Sequence, residues 1–304
     1  MDFNEIIHRL SNIGLMDIAN FFVLILIFLG LPPIAPGIIR KIRARAQNRK
    51  GPRLLQSLFD VMRLGSKKPV DGVNSGIFAE ISPTIALVSS LILYSISVFE
   101  WAPFLLIPFF LALQRITLMT FAMETGTSFG GLGSSREILL SVAAEPIIIL
   151  MIIVAQSKLQ MPLSQGSIII GLAFFAASSV AILAEVKKPP FDDPRTHLEL
   201  TMVHEAMLLE ASGRTFAFFE VAGFHKFCAL VVFLIRLSIE HSQLHSWAPL
   251  YQNLLVLFGS LFYFGVLGYW ESMSVRRKWT WVPETLGLTF LFILILGTLL
   301  KLNI

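Results

Sequence analysis

The chain has 304 residues, of which 55% are hydrophobic and only 14% are charged, and its mean hydropathy is +0.74. Soluble domains carry about 25% charged residues. This composition therefore excludes a soluble globular protein and indicates an all-α, polytopic integral membrane protein. We expect membrane lipids among its partners, and no nucleic acid.

Eight continuous apolar runs are each long enough to cross a bilayer as a helix, which takes about 20 residues. They lack the alternation of a lipid-facing β-barrel. Because no small-residue cleavage site precedes the first run, we expect that run to be retained and not removed as a signal peptide. The predicted spans, within one membrane domain over residues 1–304, are 16–39, 77–99, 101–122, 135–157, 167–186, 213–238, 250–270 and 284–303.

The basic residues predict the orientation of these spans. Of the 24 Lys and Arg residues, 18 lie in the odd-numbered loops or at the adjoining span ends, most of them in loop one (40–76) and others in or beside loop five (187–212). Cytoplasmic loops carry the excess of Lys and Arg. We therefore predict that loops one, three, five and seven are cytoplasmic and that both termini lie on the other side of the cell inner (cytoplasmic) membrane.

Loop one combines a basic run with an amphipathic segment. In "LLQSLFDVMRL" (54–64) the apolar residues fall on one helical face, which predicts a helix on the membrane surface. Two interpretations stay open for the basic run: contact with anionic lipid head groups, or docking of a cytoplasmic protein. The predicted docking residues are Arg43, Arg45, Arg49 and Arg53.

Ionisable residues occur within the predicted spans, where each costs at least about 2.5–3.5 kcal/mol on insertion scales. Glu145 lies near the middle of span four, and Glu185 closes span five. Such residues either pair internally, as Arg115 with Glu145 or Glu220 with Lys226 would, or they line a path for protons. We expect the carboxylates, Glu220 included, to serve a proton path.

Loop five is acidic, and after Pro194 it is predicted to be helical as far as Gly213, a plausible C-cap. A metal site from His197, His204 and Glu205 is disfavoured, because seven residues separate the two His by about 10 Å along a helix. Close carboxylates shift one another's pKa and suit a proton relay. The relay candidates in this loop are Asp192, Asp193, Glu199, Glu205 and Glu210.

The chain offers little to bind a redox cofactor. Its single cysteine, Cys228, cannot hold an iron–sulfur cluster, which usually takes four ligands. No CxxC or HExxH motif occurs, and the glycine-rich segment 126–135 lacks the GxGxxG order. We therefore expect no metal, no cofactor bound by this chain and no catalytic residue in it, so that partner subunits carry any redox chemistry.

Five segments, "RKIRARAQNRKGPRLLQ", "SSREILLSVAAEP", "AEVKKPPFDDP", "THLELTMVHEA" and "EASGRTFAFFE", together resemble one family. It is the membrane-anchor family shared by respiratory complex I, where its member is NADH dehydrogenase subunit 1, and the group 4 nickel–iron hydrogenases. The resemblance is strongest to the branch of formate hydrogenlyase subunit 4 and hydrogenase-4 component C, and it runs through nearly the whole chain.

The resemblance implies eight spans and a non-catalytic subunit of a membrane-bound oxidoreductase complex. It implies that loops one and five meet a hydrogenase-like large subunit, with a small subunit, an iron–sulfur subunit and antiporter-like membrane subunits as further partners. Nickel–iron and iron–sulfur centres would lie on those partners. It also implies that Glu145 and Glu185 match intramembrane glutamates of a proton path and that four loop-five carboxylates, Asp192, Asp193, Glu199 and Glu210, match the family's acidic loop.

Loop five departs from the complex I pattern, because Arg195 and His197 replace two acidic residues. The departure favours the hydrogenase branch, in which the chain would anchor a redox arm and couple electron transfer to proton or sodium movement. Two alternatives remain: a quinone-binding subunit of a complex I relative, and a stand-alone secondary transporter that uses Glu145, Glu220 and Lys226.

Overall fold

A computed structural model describes residues 14–70, 76–156, 165–192, 202–240, 243–275 and 277–301. All of the regular structure in these ranges is helical. A π-helical turn, Leu26–Gly30, joins α1 to α2, and a short 3₁₀ helix, Gln243–Ser246, follows α9. The helices are α1 Leu15–Ile25, α2 Leu31–Ala46, α3 Gln56–Gly65, α4 Ile77–Phe99, α5 Leu106–Glu124, α6 Ser128–Gln156, α7 Gln165–Glu185, α8 His204–Leu208, α9 Gly213–Glu240, α10 Pro249–Met273 and α11 Trp281–Lys301.

The predicted all-α membrane fold is confirmed. Seven helical segments in the described part are long and apolar enough to cross a membrane: the continuous segment Leu15–Ala46, α4, α5, α6, α9, α10 and α11. The eighth predicted span, 167–186, coincides with α7, of which Ile169–Glu185 counts as a shorter apolar helix. The third span begins at Leu106 and not at 101, because the chain turns between α4 and α5.

Helix α9 occupies the centre of the bundle. Its residues from Cys228 to Leu234 are at most 1% exposed, and they belong to the main hydrophobic core. A helix that is apolar all round is expected to be enclosed by other helices. The surrounding helices bring their own polar residues towards α9, and that arrangement positions the site described below.

Loop one forms a hairpin that returns to pack against α2. Left-handed backbone at Asn48 and Gly51 reverses the chain, and the amide of Arg49 donates to the carbonyl oxygen of Ala44 at 2.8 Å. The returning segment lies so close to α2 that a Cβ on Gly37 would sit 1.8 Å from the carbonyl oxygen of Leu54.

The amphipathic surface helix predicted in loop one is confirmed as α3. Its exposed apolar side chains include Phe59 and Met62, and Leu54 and Leu55 just before it are exposed as well. Such a row of apolar side chains suits the boundary between head groups and acyl chains.

Loop five differs from its predicted helix. Within residues 202–212, only His204–Leu208 is helical, and Gly213 begins α9 instead of ending a loop helix. Gly213 has a φ of +51°, and a Cβ there would lie 2.6 Å from the carbonyl oxygen of Lys68. Glycine is therefore required where loops one and five meet. Asp193, His197 and Glu199 lie outside the described residues.

Candidate functional site

The side chain of Arg115, on α5, forms ion pairs with three carboxylates from two neighbouring helices. Its Nε lies 3.3 Å from Glu137, one Nη contacts Glu145, and the other Nη lies 2.9 Å from Glu185. Arg115 is 6% exposed, and the Glu137 and Glu185 side chains are 2% exposed. Glu145 is 30% exposed and forms the least enclosed member of this group.

Two lysines complete the group, which we call the Arg115 network: Arg115, Glu137, Glu145, Glu185, Lys187 and Lys226. The Lys226 Nζ lies 2.6 Å from Glu185, and the Lys187 Nζ lies 2.7 Å from Glu137. With every member ionised the network holds three cations and three anions. Because Glu185 binds both Arg115 and Lys226, and Glu137 binds both Arg115 and Lys187, a change in the charge of one member is felt by the others.

Of the two pairs considered from the sequence, one is present and one is not. Arg115 does pair with Glu145. The alternative pair of Glu220 with Lys226 is absent, since Lys226 binds Glu185 instead. Residues six apart on a helix lie about 120° apart around its axis, so these two side chains of α9 point in different directions.

A cavity of about 450 Å³ lies between α2, loop five, α9 and α10. The Lys187 side chain lines this cavity and also pairs with Glu137 of the network. The cavity therefore reaches the edge of the buried charges. Nine ionisable side chains contribute to its wall: Arg40, Arg43, Lys187, Lys188, Asp192, His204, Glu205, Glu220 and Glu271.

The loop-five residues in the cavity wall play different parts. The Asp192 carboxylate accepts hydrogen bonds from the amides of Val203 (3.0 Å) and His204 (3.2 Å), so it caps the start of α8. This bonding gives Asp192 a structural task in addition to its predicted place in a proton path. Glu205 faces the same cavity without such a cap. Glu210 is exposed in the turn after α8.

The two ionisable groups of α8 have shifted proton affinities. Burial, together with Lys187, Lys226 and Lys188, lowers the pKa of His204 well below its ordinary value, so the imidazole is neutral at pH 7. Burial and the nearby Asp192 carboxylate raise the pKa of Glu205, against the opposing effect of Arg40 and Lys188. Glu205 therefore binds a proton more readily than an ordinary glutamate.

The four predicted docking arginines divide into two groups. Arg43 lies 3.1 Å from Glu271 of α10, which also binds Lys188 at 2.9 Å, so this arginine joins loop one to loop five inside the protein. Arg45, Arg49 and Arg53 are exposed on the hairpin. They line a groove together with Lys41 and Lys50, and we call these five residues the basic hairpin.

Sequence reasoning missed three buried members of the site: Glu137, Lys187 and Glu271. A weak signal existed for Glu137, which follows Arg136 inside the apolar run of α6 and belongs to the quoted segment "SSREILLSVAAEP". Among the described residues there is no group of three or more His, Cys, Asp or Glu side chains arranged to hold a metal ion.

The sequence model of the family described as NADH dehydrogenase matches residues 18–302. The chain belongs to this family. It is 30% identical over 205 residues to hydrogenase-4 component C of Escherichia coli K12, an alignment that spans 62% of this chain and 64% of that protein. It is 29% identical over 212 residues to formate hydrogenlyase subunit 4 of the same organism, with 63% of this chain and 67% of that protein aligned.

The fold also matches a solved structure. A chain of the membrane-bound sulfane sulfur reductase, described as an archaeal respiratory membrane complex, superposes with a TM-score of 0.72 over 94% of this chain and 99% of that one. At 16% identity this match establishes the fold alone. This chain is therefore a multi-pass membrane protein of the NADH dehydrogenase family with that fold.

Proposed function

We propose that the protein is the membrane anchor of an energy-converting hydrogenase or formate hydrogenlyase-like complex. It holds a soluble redox arm, whose subunits carry the nickel–iron and iron–sulfur centres, and it couples electron transfer to proton or sodium translocation. It works in the cell inner membrane beside antiporter-like subunits, with both termini on the non-cytoplasmic side.

One observation carries this proposal: a buried network of six charges that touches a cavity beside the predicted docking loops. Lys187 belongs to both, since it lines the cavity and lies 2.7 Å from Glu137. A charge that appears or disappears in the cavity acts on Lys187 and Glu205 through a medium of low polarity. A response of Lys187 changes its ion pair with Glu137. Because Arg115 binds Glu137, Glu145 and Glu185, the change in charge is passed on to the other two carboxylates.

The character of the cavity favours protons over an apolar quinone. Nine of its lining residues are ionisable, and Glu205 and Glu220 face it among four basic side chains. Cavities that bind small apolar molecules are lined mainly by hydrophobic and aromatic side chains with few polar groups. This supports the hydrogenase branch over the quinone-binding alternative.

Charge supports the docking role of the basic hairpin. In the part of the chain that the structure describes, none of its five cationic residues forms an ion pair. The hairpin stands on α2 beyond the apolar segment and next to the exposed apolar residues of α3. We propose that an acidic surface of the soluble arm binds here, as complementary charge promotes and orients association.

The docking role is tested by reversing the charge of Arg45, Arg49 and Arg53 together to Glu. We expect the soluble subunits to be lost when the tagged anchor is purified from membranes, while the anchor itself stays in the membrane. The matched control reverses Arg63, Lys67 and Lys68, which are exposed on the same loop but outside the hairpin. Full co-purification with the hairpin variant would leave the hairpin as a lipid contact only.

The coupling role is tested by Glu145→Gln and Glu185→Gln in the complete complex, reconstituted into sealed vesicles. Each substitution keeps the shape of the side chain but removes its titration. We expect redox activity with artificial electron carriers to persist and ion translocation per turnover to fall by about tenfold or more. The control is Glu100→Gln, a carboxylate outside the Arg115 network. Normal translocation by both network variants would rule these glutamates out of the path.

A further inference from the structure

A second void, of about 30 Å³, lies on the inner side of the cavity against the Arg115 network. Arg115, Lys226 and Gln114 contribute to its wall. His204 and Lys187 line both this void and the large cavity. His204 therefore lies between the large cavity and the buried Arg115 network.

Two buried polar atoms at this void lack a partner within the described residues. They are the Oε1 of Gln114 and the Nδ1 of His204. A buried polar atom without a hydrogen bond costs about 1–3 kcal/mol. Two such atoms on the wall of one void indicate that something polar and small binds there.

The size of the void fits one water molecule. A cavity needs about 10–15 Å³ to hold a water molecule, which when buried makes two to four hydrogen bonds to polar partners. Here the Gln114 oxygen accepts, the Lys226 ammonium donates, and one imidazole nitrogen of His204 can do either. The wall thus supplies enough partners for one molecule.

We propose that Gln114 and His204 bind a single water molecule in this void and that His204 carries protons between the cavity and the Arg115 network. The inference rests on the proposed coupling function, and it adds two residues and a water site to it. Gln114 is a positioning residue, which holds the water, whereas His204 exchanges protons with it.

The proton balance of the step is simple. A protonated water in the cavity gives a proton to the bare nitrogen of His204, and the other nitrogen gives its own proton to the bound water. That water passes a proton to Lys226 as Lys226 gives one to Glu185, 2.6 Å away. The imidazole stays neutral but ends in its other tautomer, which rotation of the ring reverses, and no electron is transferred. The step runs equally well in reverse, so the proton affinity of the network sets its direction.

The groups around His204 favour its proposed role as a proton carrier. Lys187, Lys188 and Lys226 face it, and its backbone amide donates to Asp192. Burial, together with these three cations, lowers the pKa of the imidazole and keeps the ring neutral. A neutral ring has one bare nitrogen and one N–H, as a relay between two waters requires.

The test uses the complete complex in sealed vesicles, with His204→Ala and His204→Gln as variants. Translocation per redox turnover is expected to fall by about tenfold or more in both. Added imidazole should raise the translocation rate of His204→Ala several-fold, because the cavity is large enough to admit the ring. It should not raise the rate of His204→Gln. His225→Ala is the matched control, since this histidine of α9 binds the carbonyl oxygen of Val221 and lines neither space.

The water site has a separate readout that does not depend on translocation. A density map of the wild-type complex that resolves ordered water should show one peak within hydrogen-bond distance of both Gln114 and His204, and Gln114→Leu should abolish it. A dry void, normal translocation by His204→Ala, or a loss that imidazole does not repair would overturn the inference. A wild-type complex that shows the water but moves no ions would contradict the coupling function and the relay while leaving the water site intact.

Discussion

Among the residues that the structure describes, two arginines are buried between membrane helices, and they are embedded differently. Arg115 binds three carboxylates next to a cavity. Arg236, near the C-terminal end of α9, lies 2.7 Å from the carboxylate of Glu100, and it donates to the carbonyl oxygen of Val98 and to Asn253 at 2.8 and 2.7 Å. We call this second group the Arg236 network.

The two networks differ in the number of oppositely charged partners that each ionised group binds. In the Arg115 network, Glu137 and Glu185 each hold two cations, so a proton on one carboxylate redistributes several ion pairs. In the Arg236 network neutral hydrogen bonds dominate. Asn253 donates onwards to Asn20 at 2.6 Å, which ties α9 and α10 to α1. The first arrangement suits a change of protonation, and the second suits a fixed join between helices.

The stretch of α9 between the two networks is dry. From Phe227 to Ile235 every residue is apolar or cysteine and buried. Lys226 and Arg236 are ten residues apart, which corresponds to about 15 Å along the helix. No side chain of α9 between them carries a titratable charge at pH 7, so a proton cannot pass along this stretch from one network to the other, and the two can be perturbed separately.

The largest expected effect comes from removing the shared cation, by Arg115→Gln. This leaves Glu145 without its cation and deprives Glu137 and Glu185 of one each. Breaking a buried ion pair on one side costs about 3–5 kcal/mol, so we expect poor assembly and a strongly lowered melting temperature of the detergent-solubilised complex.

Compensation sharpens this test. In the described residues Glu145 has its ion pair with Arg115 alone. The double variant Arg115→Gln, Glu145→Gln should therefore recover part of the lost stability, whereas Arg115→Gln combined with Glu100→Gln should recover none. An Arg115→Gln complex that melts like wild type would show that the network is loosely packed and hydrated.

Much of the fold could be predicted from the sequence because it depends on local patterns. Continuous apolar runs predicted the helices, and the basic run followed by an apolar face predicted α3. The Arg115–Glu145 pair was one of the internal pairings that the sequence left open beside the proton path, since two opposite charges at membrane depth have strong reason to meet. Each of these conclusions needs only the length, polarity or charge of a segment.

The rest depended on which helix faces which. Glu137 and Lys187 join the network through contacts between residues fifty positions apart, and no local pattern specifies them. The helix predicted in loop five was too long for two reasons. Gly213 adopts a left-handed φ where it packs against Lys68, and Asp192 caps the N-terminus of the short helix α8. Both features arise from loop one and loop five folding against each other.

Arg236→Gln is expected to have a smaller effect on stability. This variant decides whether the two networks differ in function. Glutamine can keep one of the two hydrogen bonds that Arg236 donates to Val98 and Asn253, and it loses the ion pair with Glu100. Glu100 is 43% exposed, so water replaces much of that interaction. We expect a loss of about 1–3 kcal/mol, as for a few hydrogen bonds to a charged group, seen as a moderate fall in melting temperature.

Ion translocation per redox turnover should be unchanged in this variant, because the dry stretch of α9 separates Arg236 from the carboxylates that titrate. The comparison variant is Lys226→Met on the same helix. It removes one of the two cations from Glu185, and so should lower translocation together with stability. If Arg236→Gln formed a stable complex whose translocation fell as far as that of Glu185→Gln, the Arg236 network would belong to the ion path. The division between a titrating and a fixed network would then be wrong.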